Sequence, residues 1–408
     1  MSVTSANSLQ TRRLNGSSAD RPGLIVFADD WGRHPSSCQH LIRRLQPHYR
    51  ILWVNSIGTR QVRANAFTLR RGFEKVRNWS RGLQQVGEAM WVLDAPMLPW
   101  IGNPVAKRLN RQVVTRSIRR CLRTTGIHEP VVMTTLPHVA WLLGDVGERG
   151  TVYYCTDDYS HWPSADRESL LAAEGALVAR SDLVLAVSHK LVQRFEGHHR
   201  CCYFPHAVDA AHFRSSAEMA AHARLRELPG PRIGFFGLIY EKLNFELLTA
   251  VARRFPEASL VMIGPVNYCP ESFAALPNVH LVGPQPYADI PQWIAGLDVL
   301  LLPYVLDEMI LQSNPLKLRE CLASGKPTVA VEVPEARRFE PHVRVASTLD
   351  EFVNAVGTAL HAPESAATIA ARQQAVAGES WDSRAAELMD HLQSLPHSKA
   401  ELSLCPSC

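Results

Sequence analysis

Short apolar runs separated by amphipathic stretches recur along most of the chain. Residues 24–28 (LIVFA) and 51–55 (ILWVN) read as buried strands, too short for helices, with a helix over 36–45 between them. Further strands are predicted at 90–93, 131–134, 152–155 and 183–187, alternating with helices, one of them over 104–123. A second series starts at Arg232: strand to Phe236, helix 245–255, strand 259–264, a helix, strand 279–282, helix 290–295, and strands 297–303 and 328–331. Continuous apolar strands alternating with helices form mostly parallel sheets covered on both faces, so the expectation is an α/β chain of two doubly wound domains. The break lies in 204–231, where polar sequence rich in proline and alanine replaces the strand pattern. The expected division is 21–205 and 206–380, a helix over 381–395, and disordered tails at 1–20 and 396–408.

Residues 313–330 (SNPLKLRECLASGKPTVA) concentrate the chemistry. Asn314 suits an N-cap and Pro315 the first helical position, Leu316, Leu318, Cys321 and Leu322 form an apolar face, and Gly325 ends the helix. A helix start with its unpaired N–H groups favours a diphosphate, and Lys317 in the first turn adds a full positive charge. Glu320, one turn further in, can accept hydrogen bonds from ribose hydroxyls. Upstream, Gly237 follows a strand and precedes a helix, so backbone there can approach a phosphate, with Lys242 supplying charge. No G-x-G-x-x-G follows either first strand, which disfavours a dinucleotide.

The order strand, polar loop, Asn-Pro-x-Lys, Glu, Gly-Lys-Pro, strand resembles the C-terminal domain of bacterial GT-B glycosyltransferases of the retaining family 4 type. Four more stretches, in the expected order, extend the resemblance over most of residues 24–395: 29–41 (DDWGRHPSSCQHL), 153–162 (YYCTDDYSHW), 181–195 with 204–213 (FPHAVDAAHF), and 232–248 (RIGFFGLIYEKLNFELL). The resemblance implies two Rossmann-like domains facing a cleft, a nucleoside diphosphate sugar as donor, no metal cofactor, and a C-terminal helix that packs back on the N-terminal domain. It makes Gly237, Lys242, Ser313, Asn314, Lys317 and Glu320 the donor-binding candidates, Lys317 also assisting catalysis. One departure is plain. The family commonly has a second glutamate, with seven residues between the pair, and that position here is Gln312, which carries no charge to grip the donor sugar. Asp307 and Glu308 lie nearby and either substitute for it or cap a loop.

Asp157 and Asp158 follow the strand 152–155 at the carboxyl edge, where open sheets bind ligands. They are the catalytic candidates on the acceptor side: a carboxylate there accepts the acceptor's proton, orients the acceptor, or binds a metal as a pair. The plainer alternative has Asp157 capping the next turn with Ser160. The loop 29–37 resembles the acceptor loop, which makes Arg33 and His34 candidates for an acceptor pyrophosphate or hydroxyl, with Ser36 as the N-cap of the following helix. His206 stands where the family commonly has asparagine, to touch the sugar or to fix the hinge.

Composition adds bounds. A hydrophobic fraction of 46% and a charged fraction of 20% over 408 residues suit a two-domain globular enzyme. No apolar run is long enough to span a bilayer, and the first twenty residues lack a secretory apolar core, so a cytoplasmic protein is expected. Nine irregularly spaced cysteines suit reduced thiols, and the lone Cys405/Cys408 pair is not read as a zinc or redox site. A formal net charge of +4 gives no case for nucleic acid, which is not an expected partner. The charge is concentrated, however, in 60–81 and 104–123, two basic segments suited to the inner-leaflet membrane surface. The leading expectation is transfer of a sugar to a saccharide or lipid-linked saccharide in bacterial surface-glycan biosynthesis. A sugar-nucleotide epimerase of the same fold and a non-catalytic scaffold of an assembly complex are the alternatives.

Overall fold

A computed structural model of the chain describes residues 21–33, 36–55, 82–96, 104–161, 167–362 and 364–396. The basic segment 60–81, His34 and the Cys405/Cys408 pair lie outside the described residues.

The first sheet is built from β1 (Gly23–Ala28), β2 (Arg50–Asn55), β3 (Leu83–Gly87), β4 (Met90–Asp94), β5 (Val131–Thr134), β6 (Gly150–Cys155), β7 (Leu183–Ala186) and β8 (Cys201–Tyr203). Their spatial order is β3-β4-β2-β1-β5-β6-β7-β8, parallel throughout except for the β3–β4 pair. All six residues of β1 are buried, as a central parallel strand covered on both faces requires. The second sheet has β9 (Arg232–Phe236), β10 (Ser259–Ile263), β11 (Val279–Gly283), β12 (Val299–Leu302), β13 (Thr328–Val331) and β14 (Arg344–Ala346), in the order β11-β10-β9-β12-β13-β14 and all parallel. Chain direction across each sheet reverses at β1/β5 and at β9/β12, and such switch points open a crevice beyond the carboxyl ends of the strands.

Three strands escape the sequence pattern: β3, β8 and β14. Each is an edge strand, and β3 (LQQVG) has only exposed and half-buried positions, so no apolar run announces it. The long helix runs Pro104–Thr125, and the last helix Trp381–Gln393, two residues short of the expected end.

Each sheet has its own hydrophobic core, but the last helix crosses over. Trp381, Ala385, Leu388 and Leu392 are buried in the core of the first sheet, against the helix Ser37–Leu45. There His40 stacks on Trp381 with centroids 4.9 Å apart and planes 5° from parallel, and Arg44 pairs with Asp382 at 2.6 Å. His206, on the passage between the sheets, is also buried and shares a 2.8 Å hydrogen bond with Ser37 Oγ.

Burial holds both rings neutral: His40 titrates at about 4 and His206 at about 3, the latter also opposed by Arg319 and Arg384. Both folded values lie below the unfolded value near 6.5, so on acidification the unfolded chain takes up protons that the folded chain refuses. Stability therefore falls as the pH drops below about 6.5, by about 1.4 kcal/mol per unit for each ring. Urea unfolding at pH 7 and 5 should show a loss of about 2 kcal/mol per histidine, and His206→Asn should remove its share of that slope. An unchanged slope in His206→Asn would contradict a buried neutral ring.

Candidate functional site

The loop after β9 is shaped by two glycines. Gly237 has φ +145 and donates its N–H to Ile263 O at 2.9 Å. Gly264, after β10, has φ +144 and lies so close that a Cβ on it would fall 1.8 Å from Gly237 O. A Cβ on Gly237 would in turn meet the Phe235 ring at 3.2 Å and Lys317 Cε at 3.3 Å. Glycine is therefore required here by conformation and, at Gly264, by the close backbone approach, and the lysine stem packs against the turn.

Lys317 belongs to the helix Leu316–Ser324, which Gly325 closes in the left-handed conformation at φ +78. Its ammonium sits 5.0 Å over the Phe236 ring and 2.7 Å from Glu320 Oε2. Glu320 is only 4% exposed. The structure thus brings Gly237, Lys317, Glu320 and a helix start together at the β9/β12 switch point. An ammonium has three donors and Glu320 takes one, which leaves capacity for an anion.

Lys242 lies on the same loop but is held by the Asp307 carboxylate. Asp307 also caps the helix Glu308–Gln312 by accepting from Ile310 N at 3.0 Å. Burial pushes its carboxyl up, but the hydrogen bonds from Lys242 and the helix start outweigh that and hold it below the usual range. An anion that uses Lys242 shares its ammonium with Asp307 or displaces that carboxylate.

The helix start differs from the sequence expectation. Pro315, in extended conformation, occupies the N-cap position without a side-chain cap, and Asn314 does not cap. Asn314 is 3% exposed; its Nδ2 donates to Val187 O of the first domain at 2.6 Å, and its Oδ1 accepts from Arg319. Ser313 Oγ turns back to Ile310 O at 2.7 Å. Both side chains thus have partners within the protein, and the buried Asn314 amide is held between Val187 and Arg319. Next to them Ser188 Oγ donates to Gln312 O at 2.5 Å. Ser188, which joins the two domains here, and Arg319, which fixes Asn314, are not among the residues singled out in the sequence; neither carries a local pattern that sets it apart from a surface residue.

On the first sheet the loop after β1 faces the same crevice edge. Exposed Asp29 accepts from Ser36 Oγ at 3.0 Å and Gln39 Nε2 at 2.9 Å, Ser36 caps the helix Ser37–Leu45, and exposed Arg33 pairs with Asp30 at 3.7 Å. After β6 the two adjacent aspartates part company. Asp158 is 1% exposed and accepts from Ser160 N (3.1 Å), Ser160 Oγ (2.6 Å), His161 Nδ1 (2.7 Å) and Arg194 Nη1 (3.0 Å). Burial raises its carboxyl, yet these partners together hold it below the usual range. Arg194 also pairs with Glu174, which accepts from Tyr153 OH at 2.6 Å, so the network is closed. Asp158, not Asp157, makes the turn with Ser160, and a proton acceptor this fully occupied is a poor general base. Asp157 is half-buried and close enough to the second domain to act on Tyr240, whose hydroxyl burial, then Asp157, Glu241 and Asp307, push up to about 12. Among the described residues, no group of three or more His, Cys, Asp or Glu side chains is arranged to hold a metal ion.

Comparison with known proteins agrees with this architecture. The glycosyl transferase-like family matches residues 244–390, a stretch that includes Lys317 and Glu320 but begins after Gly237 and Lys242. A putative teichuronic acid biosynthesis glycosyltransferase of Bacillus subtilis is 26% identical over 213 residues, 47% of this chain and 53% of that protein. The chain thus spans about half the length of that relative. Among solved structures, the sucrose-phosphate synthase of Thermosynechococcus elongatus superposes with a TM-score of 0.69 at 14% identity, over 92% of this chain and 99% of that one. HepE of Anabaena, in complex with UDP and glucose, superposes at 0.64 with 15% identity, over 92% and 100%. These likenesses show the fold, which is GT-B: two Rossmann-like domains across a cleft.

The contrast between the two aspartates is measurable. Asp158→Asn takes one of the two carboxylates from Arg194 in a buried network and should cost about 3 kcal/mol in urea unfolding. Asp157→Asn keeps its acceptor oxygen for Asp158 N and should change stability by less than about 1 kcal/mol. Equal losses in the two variants would contradict the assignment of Asp158 to the framework.

Proposed function

We propose that this chain is a glycosyltransferase that moves a sugar from a nucleoside diphosphate sugar to a hydroxyl of a saccharide or lipid-linked saccharide acceptor in the assembly of a surface glycan. The observation that carries the reading is the cluster of Gly237, Lys317 and Glu320 at the start of a helix, at the switch point of a sheet whose carboxyl edge faces the loops of the other domain. The family match covering Lys317 and Glu320, and the teichuronic acid assignment in the name of the Bacillus relative, support transfer and a polysaccharide product. The UDP and glucose bound to HepE support a nucleotide-sugar donor, and uridine as the first base to try.

In this reading the diphosphate rests on the N–H groups that open the helix Leu316–Ser324, and Lys317 turns from Glu320 to the phosphate oxygens. Glu320, released, accepts from the ribose hydroxyls. As the glycosidic bond to the diphosphate breaks, charge grows on the departing oxygen, and a fixed ammonium and helix dipole stabilise it without reorganisation. Lys242 joins, shared with Asp307 or released by it. These groups stand in the place that a divalent cation takes in other sugar transferases. Asp157, with Arg33 at the loop after β1, meets the acceptor hydroxyl from the opposite side. The resemblance to the retaining family 4 type carries retention of the anomeric configuration and a hexose as the transferred sugar.

Calorimetry with uridine, guanosine and adenosine diphosphate sugars, followed by mass analysis of products with acceptor pools, tests this. One nucleotide class should bind, and Lys317→Ala should weaken it by about 10- to 100-fold, the worth of a charge-assisted hydrogen bond. Binding of no nucleoside diphosphate, or equal binding in Lys317→Ala, would overturn the reading.

A further inference from the structure

The helix Pro104–Thr125 carries an outward face that the cleft does not use. Val105, Leu109 and Val113 recur every fourth residue, so they form one ridge, and they are 68%, 46% and 39% exposed. The inward face of the same helix, with Val114, Ile118, Cys121 and Leu122, is buried, so the outer ridge is additional apolar surface and not the core stripe. Further along the same outward side the exposed residues are Arg116, Arg120 and Arg123. The helix has no acidic residue. Arg111 and Arg119 are engaged by Asp145, at 2.8 Å from Arg111 Nη2 to Oδ1 and 2.8 Å from Arg119 Nε to the backbone oxygen.

Its position follows from topology. It leaves the carboxyl end of β4 and returns to the amino end of β5, and both strands run parallel with β1. Its first turns, with the aliphatic ridge, therefore lie toward the same sheet edge as the loops after β1 and β6.

We propose that this face is a docking surface for an anionic phospholipid bilayer, the ridge of Val105, Leu109 and Val113 entering between headgroups and Arg116, Arg120 and Arg123 resting on lipid phosphates. A row of cations continuing an exposed aliphatic ridge, with no counter-charge on the helix, matches an anionic interface in both its apolar and its charged layer. A nucleic acid would use the arginines and leave the aliphatic ridge without a role. Among the described residues no helix is long and apolar enough to cross a membrane, so the contact is one of lying on the surface. The inference stands apart from the transfer reading, because it uses none of the cleft residues.

Flotation of the full chain with phosphatidylcholine vesicles, with and without about one-third phosphatidylglycerol, tests it. The chain should float with the anionic vesicles and not with the neutral ones. Replacing Arg116, Arg120 and Arg123 together by Gln should lower partitioning about 100-fold, at about fivefold for each charge lost. The neutral triple variant Val105→Ser, Leu109→Ser, Val113→Ser should lower it by about tenfold or more. All six positions are exposed, so both variants should keep the unfolding midpoint and the nucleoside diphosphate affinity of the parent, which separates a failure here from a failure of the transfer reading. No flotation of the parent with anionic vesicles would overturn the proposal. So would flotation undiminished in either variant, or a serine variant equal to the parent, the result a nucleic-acid surface would give.

Discussion

A guanidinium with no exposure to solvent fixes the contact between the two halves of this molecule. Arg319 projects from the back of the helix Leu316–Ser324 to Glu379 at the entry of the last helix, to Asn314 Oδ1 at the helix start, and over the Phe339 ring at 5.4 Å. Taking such a charge out of water costs several kcal/mol, and the carboxylate, the amide and the ring offset only part of it, because Nη2 is buried without a hydrogen-bond partner among the described residues. The consequence reaches the first domain, because the Asn314 side chain that Arg319 fixes also donates to Val187 O. With Ser188 on Gln312 O, the loop opening the helix is held from both sides. The far end of the helix has its own buried pin, Arg372 on Gly325 O at 3.0 Å. An anion-binding helix start is useful in a cleft only if it is aimed, and these contacts aim it.

The front of the same helix is arranged differently. Lys317 and Lys242 each rest on a carboxylate of their own domain, Glu320 and Asp307. The positive charge is thus stored as ion pairs that a more highly charged ligand can open, and the cost of assembling two cations at one switch point is met within the fold. The glycine pair Gly237 and Gly264 serves this arrangement sterically, since any side chain at Gly237 would push the lysine stem away.

Much of the architecture was legible because central parallel strands are buried on both faces and read as unbroken apolar runs; β1, β2, β9 and β12 are clear cases. Edge strands lack that signature, which is why β3, β8 and β14 were not visible. Within the site, the glycine turn, the first-turn lysine and the glutamate one turn on are each local patterns, and the fold brings the turn to the helix. The function of Asn314 was not legible, because its partner Val187 lies 127 residues away in the chain and a polar residue before a proline looks like a cap. Asp157 and Asp158 could not be separated either: neighbours after a strand point in different directions, and only the position of Arg194 decides which of them is enclosed.

The central claim is that the interdomain clamp presents the start of the helix Leu316–Ser324 as the diphosphate site. A crystal structure with a bound nucleoside diphosphate tests it most directly. The phosphates should lie against the backbone N–H groups of that first turn, with Lys317 Nζ moved from Glu320 onto a phosphate oxygen and Asn314 still on Val187 O. A nucleotide bound elsewhere, with Lys317 still on Glu320, would contradict the account.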